Sequence, residues 1–162
     1  MSQTPPASEM SPDQTLDLFK FYEEAAEKAK AHAWAQTTWV LTLNAAILGF
    51  SVTFLASHYE NPSFIAIELL SSGVGVVLCA FLLYLLSELG GHISHYWRSS
   101  NRIAAGYAPL IPFVGESNAN AARAADYEVP FPAFCRRLQY LAALFLVAHI
   151  GWIGFVAYAR CA

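Results

Sequence analysis

The sequence predicts an all-α membrane protein: three transmembrane helices, with a long N-terminal cytoplasmic helix continuous with the first span. Three observations carry that expectation. Residues 37–57 (TTWVLTLNAAILGFSVTFLAS) form a run of 21 without a charged side chain. At the helical rise the run spans roughly 31 Å, the thickness of a bilayer's hydrocarbon core. Hydrophobic residues make up 56% of the chain and charged ones only 13%, the balance of a membrane chain rather than of a soluble core. Finally, no Gly or Pro lies between Pro12 and Gly49, so nothing separates the polar N-terminal segment from the first span.

Residues 1–10 (MSQTPPASEM) are polar and carry two prolines, which reads as a disordered tail. A single membrane domain is expected over 11–162. Ser11 caps the first helix, Pro12 suits its first position, and Gln14 completes a capping box. The cytoplasmic part, 11–36, is amphipathic. Phe19, Tyr22, Ala26, Ala29 and Ala33 follow the 3-4 spacing of a coiled-coil seam, while Lys20, Glu24, Glu27 and Lys28 lie off it. The same spacing continues into the first span, 37–57, through Thr37, Val40, Asn44, Ile47, Ser51 and Phe54. One face of one long helix is therefore patterned for helix contact.

Residues 58–63 (HYENPS) read as a tight turn, with Asn61 as cap and Pro62 opening the next helix. The second span, 64–89, contains 19 charge-free residues over 69–87. Within it Glu68, Ser72, Gly75 and Cys79 form a polar and small stripe at 4-3-4 spacing, which permits close helix approach in lipid. A cytoplasmic connection, 90–137, follows. Gly90-Gly91 leaves two courses open for 92–107: a stalk against the N-terminal helix, or an amphipathic helix along the membrane surface. Ile93, Tyr96, Trp97, Ser100, Ala104 and Tyr107 make one face, and His95, Arg98, Asn101 and Arg102 the other. Residues 108–132, with Pro109, Pro112, Gly115 and Pro130, read mostly as loop, with a turn or two of helix at 117–126. The third span is 138–158, anchored by Arg136-Arg137.

Orientation follows from the cations. The N-terminal segment has Lys20, Lys28 and Lys30, and the 90–137 connection has Arg98, Arg102, Arg123, Arg136 and Arg137, against Arg160 alone on the other side. The positive-inside rule places the N-terminus in the cytoplasm and the C-terminus in the periplasm of a bacterial inner membrane. Trp34, Trp39 and Tyr140 fall near the inner interface, and Tyr59 and Tyr158 near the outer one.

Five polar residues at membrane depth are candidate intramembrane or pore-lining sites: Asn44, Ser51, Glu68, Ser72 and His149. Glu68 has two readings, snorkelling to the outer surface or a ring of carboxylates around an oligomer's axis. His149 near mid-span reads as a structural hydrogen bonder before a proton carrier. Counting from the span ends puts Asn44, Glu68 and His149 at different depths, without a relay among them. Glu88, His92 and His95 have metal-capable i, i+4, i+7 spacing, but lack a fourth ligand. Cys79, Cys135 and Cys161 are too scattered for a disulfide framework or a zinc cluster. No metal or other cofactor is expected, and no catalytic motif points to an enzyme. The net charge of −3 offers no face for nucleic acid, and 1–36 does not read as a signal peptide.

The layout of FKFYEEAAEKAKAHAWAQ flowing into TTWVLTLNAAILGF, then a short turn, a second span and HYWRSSNRIAAGY, covers about 19–107. It resembles the RipA-like family of small bacterial inner-membrane proteins, and also the SLATT-type membrane effectors. The first resemblance implies a homo-oligomer, and with the helix seams the expectation is an oligomeric scaffold or regulator acting through its cytoplasmic helices, with membrane lipid and a cytoplasmic protein as partners. The second implies a pore-forming or channel-like effector. A third span from Leu138 departs from a two-span effector. Under the oligomer reading, Ala29→Leu or Asn44→Leu is expected to weaken assembly.

Overall fold

The computed structural model describes residues 11–58 and 62–161, with side chains over 11–54 and 65–158. The expected tail at 1–10, the Asn61 cap and Tyr59 lie outside the described residues. The elements are α1 (Pro12–His58), α2 (Pro62–Gly106), a 3-10 turn (Ala108–Leu110), α3 (Ile111–Val114), α4 (Glu116–Ala121) and α5 (Ala133–Cys161). No strand occurs among the described residues. Three helices are long and apolar enough to cross a membrane, so this is an all-α membrane protein. The capping box forms as the sequence predicts: the Ser11 N–H donates to Gln14 Oε1 at 3.0 Å, and the Gln14 N–H to Ser11 Oγ at 3.3 Å.

The described chain falls into two compact units. The first joins 11–32 to 89–132, and the second, the membrane unit, joins 33–88 to 133–161.

In the first unit Phe19, Ile103, Ala104 and Leu110 form the buried cluster, with Leu16, Tyr22, Tyr107 and Val114 packed on it. The Tyr22 and Tyr96 rings lie 6.3 Å apart, and the Lys30 ammonium sits 4.8 Å from the Trp97 ring centroid. The 92–107 segment is thus a continuation of α2 packed on the N-terminal helix. The glycine pair does not break the helix. Two glycines cost about 2 kcal/mol of helix propensity, but Gly90 is buried and a Cβ there would enter the Phe131 ring. Close approach of that ring is what requires glycine.

Two further expectations change in this unit. Residues 108–121 are largely helical turns, because Pro109 and Pro112 occupy first-turn positions where a missing N–H costs nothing. Gly115, at φ +85°, separates α3 from α4, which ends at Ala121 rather than near 126. Asn101, assigned by its periodicity to the solvent face, is buried and donates from Nδ2 to Tyr127 Oη at 2.7 Å. The returning chain covers that face: Arg98 pairs with Glu128 at 3.6 Å, and Arg102 donates to the Ala125 carbonyl at 3.3 Å.

The membrane unit buries one stripe from each helix. α1 contributes Ala33, Thr37, Val40, Asn44 and Ser51; α2 contributes Glu68, Ser72, Cys79, Leu82 and Leu86; α5 contributes Cys135, Leu138, Ala142, His149 and Val156. Each stripe keeps the 3-4 period of helices packed side by side. Outward surfaces carry Leu70, Val77, Phe81, Leu144, Val147 and Phe155, as contact with lipid requires. Trp34, Trp39, Tyr140 and Tyr158 also face outward. The seam read from α1 thus finds its partners within the same chain.

Candidate functional site

All five polar candidates, Asn44, Ser51, Glu68, Ser72 and His149, are buried inside the membrane unit, none more than 1% exposed. That corrects both readings of Glu68. Its side chain neither snorkels nor faces outward toward an oligomer axis, but accepts a hydrogen bond from Trp152 Nε1 at 3.4 Å. Glu68 lies on the same buried stripe of α2 as Ser72, Gly75 and Cys79, as the 4-3-4 spacing requires.

Asn44 and His149 meet, contrary to the depths counted from the span ends. His149 Nε2 lies 2.9 Å from Asn44 Oδ1, and Cys79 Sγ donates to the same oxygen at 3.4 Å. The amide nitrogen of Asn44 donates to the Val40 carbonyl at 2.8 Å. That bond fixes which end of the amide is oxygen, and so fixes the imidazole: Nε2 carries the hydrogen, and Nδ1 is the basic nitrogen of the neutral ring. Depth counting from the ends of the apolar runs does not capture how α1 and α5 are set against each other. Helix register is set by packing, not by where hydropathy ends.

Gly75 supplies that packing. A Cβ built on it would fall inside the His149 imidazole, and its nearest neighbours are all atoms of that ring. The ring occupies the space that any other residue would fill. Along α2, Ser72 lies between this contact and Glu68. Since α1 and α2 are antiparallel neighbours paired at Asn44 and Cys79, seven residues on along α1 and seven back along α2 bring Ser51 level with Ser72. The result is a polar column of two layers, Asn44–Cys79–His149 and Ser51–Ser72–Glu68–Trp152.

The column is only partly satisfied. Ser51 Oγ, Ser72 Oγ, Glu68 Oε1, His149 Nδ1 and, one layer further along α1, Thr37 Oγ1 are buried without a hydrogen-bond partner. Leaving such groups unpaired costs about 1–3 kcal/mol each, so the column is expensive as a structural device alone. The sequence pattern located Glu68 and Ser72 correctly but missed Trp152 and Cys79 as partners. The signal for Trp152 was present: Leu138, Ala142, His149, Trp152 and Val156 share one helical face of α5.

His92 and His95 are exposed beside Tyr96, their rings 6.4 and 6.0 Å from it. Among the described residues no three His, Cys, Asp or Glu side chains gather as a metal-holding group. Comparison with protein-family models, with characterised proteins and with solved structures finds no match to this chain.

Proposed function

We propose that the protein is a homo-oligomeric scaffold or regulator of the bacterial inner membrane, with its first unit in the cytoplasm. The observation that supports this best is an outward stripe on α1. Thr38, Thr42, Ala45 and Gly49 are exposed at 4-3-4 spacing, on the side opposite the buried seam. A concavity of about 790 Å³ runs along part of it, flanked by Trp34 and Trp39. In lipid, small and hydroxyl residues are favoured where another helix approaches closely. Gly49, Gly73, Gly151 and Gly154 all have open space where a Cβ would stand, so their smallness serves no contact within the chain. A second copy supplies one. In the first unit, a groove of about 370 Å³ lined by Trp97, Asn101, Phe113, Asn118 and Tyr127 offers the surface for a cytoplasmic protein partner.

A pore is the second reading. It needs polar side chains toward a water-filled axis, and the five candidates are spent inside each chain instead.

The test is the mass of the assembly in mild detergent. Gly49→Leu is expected to weaken association by about tenfold or more while leaving the monomer folded, since its side chain meets nothing in the chain. A parent protein that is monomeric by light scattering, or an assembly indifferent to Gly49→Leu, overturns the reading. Asn44→Leu, by contrast, is now expected to act on the fold and not on assembly. Orientation has its own test, resting on the eight-to-one cation count. Reporter fusions at Ala162 should be active only in the periplasm and those at Asn118 only in the cytoplasm; the reverse pattern inverts the topology.

A further inference from the structure

We infer, resting on the reading of the first unit's groove as the surface for a cytoplasmic partner, that this groove binds an arginine side chain which the partner presents. Its walls bring together three aromatic rings, Trp97, Phe113 and Tyr127, and one carboxylate, Glu23, around about 370 Å³. Glu23 is the only charged residue among those lining the groove. It is half-buried, and among the described residues it makes no ion pair. The cations nearby are engaged elsewhere: Lys28 with Glu24, Lys30 with Glu27, and Arg98 with Glu128. Arg102 donates to the Ala125 carbonyl, and Lys20, three residues before Glu23, is exposed and forms no ion pair with it. Partial burial of a carboxylate without a cation costs free energy that an incoming positive charge recovers.

The neutral groups of the groove select the kind of cation. Asn101 and Asn118 spend their amide nitrogens on Tyr127 Oη at 2.7 Å and on the Val114 carbonyl at 2.9 Å. That leaves both amide oxygens as acceptors, a set of three acceptor groups with the Glu23 carboxylate. The aromatic rings add faces that attract positive charge. Trp97 already holds one cation in this way, the Lys30 ammonium at 4.8 Å from its ring centroid, whose own charge Glu27 meets. Phe113 is 76% exposed, although its ring lies 6.4 Å from that of Phe19. Covering such a ring is favourable in proportion to the apolar area removed from water. A guanidinium combines what these walls offer: a flat face for the rings, five N–H donors for the acceptors, and a charge that is not lost. A lysine ammonium is compact and strongly hydrated, and uses the rings less well. An anion is repelled by Glu23, and an apolar side chain would bury that carboxylate unpaired.

The experiment has two arms, both on the full chain. In lipid nanodiscs the probe is the peptide acetyl-Gly-Arg-Gly-amide, followed by NMR at the Trp97 indole N–H, assigned with Trp97→Phe. The peptide is expected to shift that signal saturably, and its citrulline counterpart, similar in shape but uncharged, to leave it unmoved. Glu23→Gln should weaken the arginine peptide by about tenfold or more. Asn118→Asp, which adds a second carboxylate to the groove, should tighten it, and decides alone should Glu23→Gln fail to fold. An equal response to citrulline, or an affinity unmoved by these variants, overturns the inference. In cells, a photoreactive benzophenone side chain at Ser117, exposed and outside the lining, is expected to join the chain to a protein at an arginine-containing segment. Glu23→Gln should abolish that adduct. An adduct indifferent to Glu23→Gln overturns arginine as the ligand while the docking surface stands. No adduct, with the arginine peptide still bound, overturns the partner, since the groove then takes a free guanidinium compound.

Discussion

Replacing Gly75 with alanine should remove a large share of the membrane unit's stability, more than alanine at Gly49, Gly73, Gly151 or Gly154, where a Cβ meets nothing. The added Cβ enters the His149 ring. That ring cannot swing aside freely, because its Nε2–H is tied to Asn44 at 2.9 Å and the residue is fully buried. Either α2 and α5 separate or the hydrogen bond breaks. Overpacking of this kind costs about 1–3 kcal/mol, and an orphaned buried donor adds about 1–3 more. A total near 4 kcal/mol is a large share of the margin by which proteins are stable. The measurement is the unfolding midpoint in a fixed micelle, followed by circular dichroism. The control is a second substitution: Gly75→Ala with His149→Ala removes the ring that the methyl strikes, and should recover at least half of the loss. An alanine at Gly75 without effect, or a double variant no better than the single, means that α5 does not pack against α2 at this level.

The second large effect belongs to Asn44. Leucine there has nearly the same bulk but makes none of the amide's bonds to Val40, Cys79 and His149. The Val40 carbonyl keeps its helical partner, so that loss is small. The His149 Nε2–H is left in the bundle interior with nothing to accept it. Interhelical hydrogen bonds in membranes average well under 2 kcal/mol because the unfolded chain also finds partners, but an abandoned donor carries its own penalty. The expected loss is about 2 kcal/mol. Replacing both partners by apolar residues should be far milder than replacing one, since a matched apolar pair leaves no orphan. Asn44→Leu with His149→Leu is therefore expected to unfold closer to the parent than Asn44→Leu alone. If the double variant is worse by the sum of the two single losses, the Asn44–His149 bond contributes nothing.

Both predictions lie on residues that the pattern of the chain marked unevenly. Asn44 stood out as a polar residue on the small-residue seam of α1, and the seam is the buried face. Gly75 was visible only as one member of the Glu68–Cys79 stripe, with nothing to say that an imidazole would occupy its missing side chain. The outward stripe through Thr42 and Gly49 is as regular as the inward one, and spacing alone did not tell which of the two the chain covers itself. Asn101 was misplaced for a related reason. Periodicity assigns a residue to a helix face, but the 122–132 segment that buries that face has no periodicity of its own.

What the sequence determined by itself is whatever depends on local chemistry summed along the chain. Charge-free runs of about 20 residues cannot stay in water or cross a bilayer except as helices, so three such runs dictate three spans. The Ser11–Gln14 box dictates where the first helix starts, and the 3-4 spacing dictates which residues share a helix face. Only the tertiary structure decided which atoms meet across those faces. Axial register between helices comes from how side chains interlock, and a shift of one turn, about 5.4 Å, separates Asn44 and His149 or joins them. The His149 ring seated on Gly75 settles that turn, and that contact is not a property of either segment read alone.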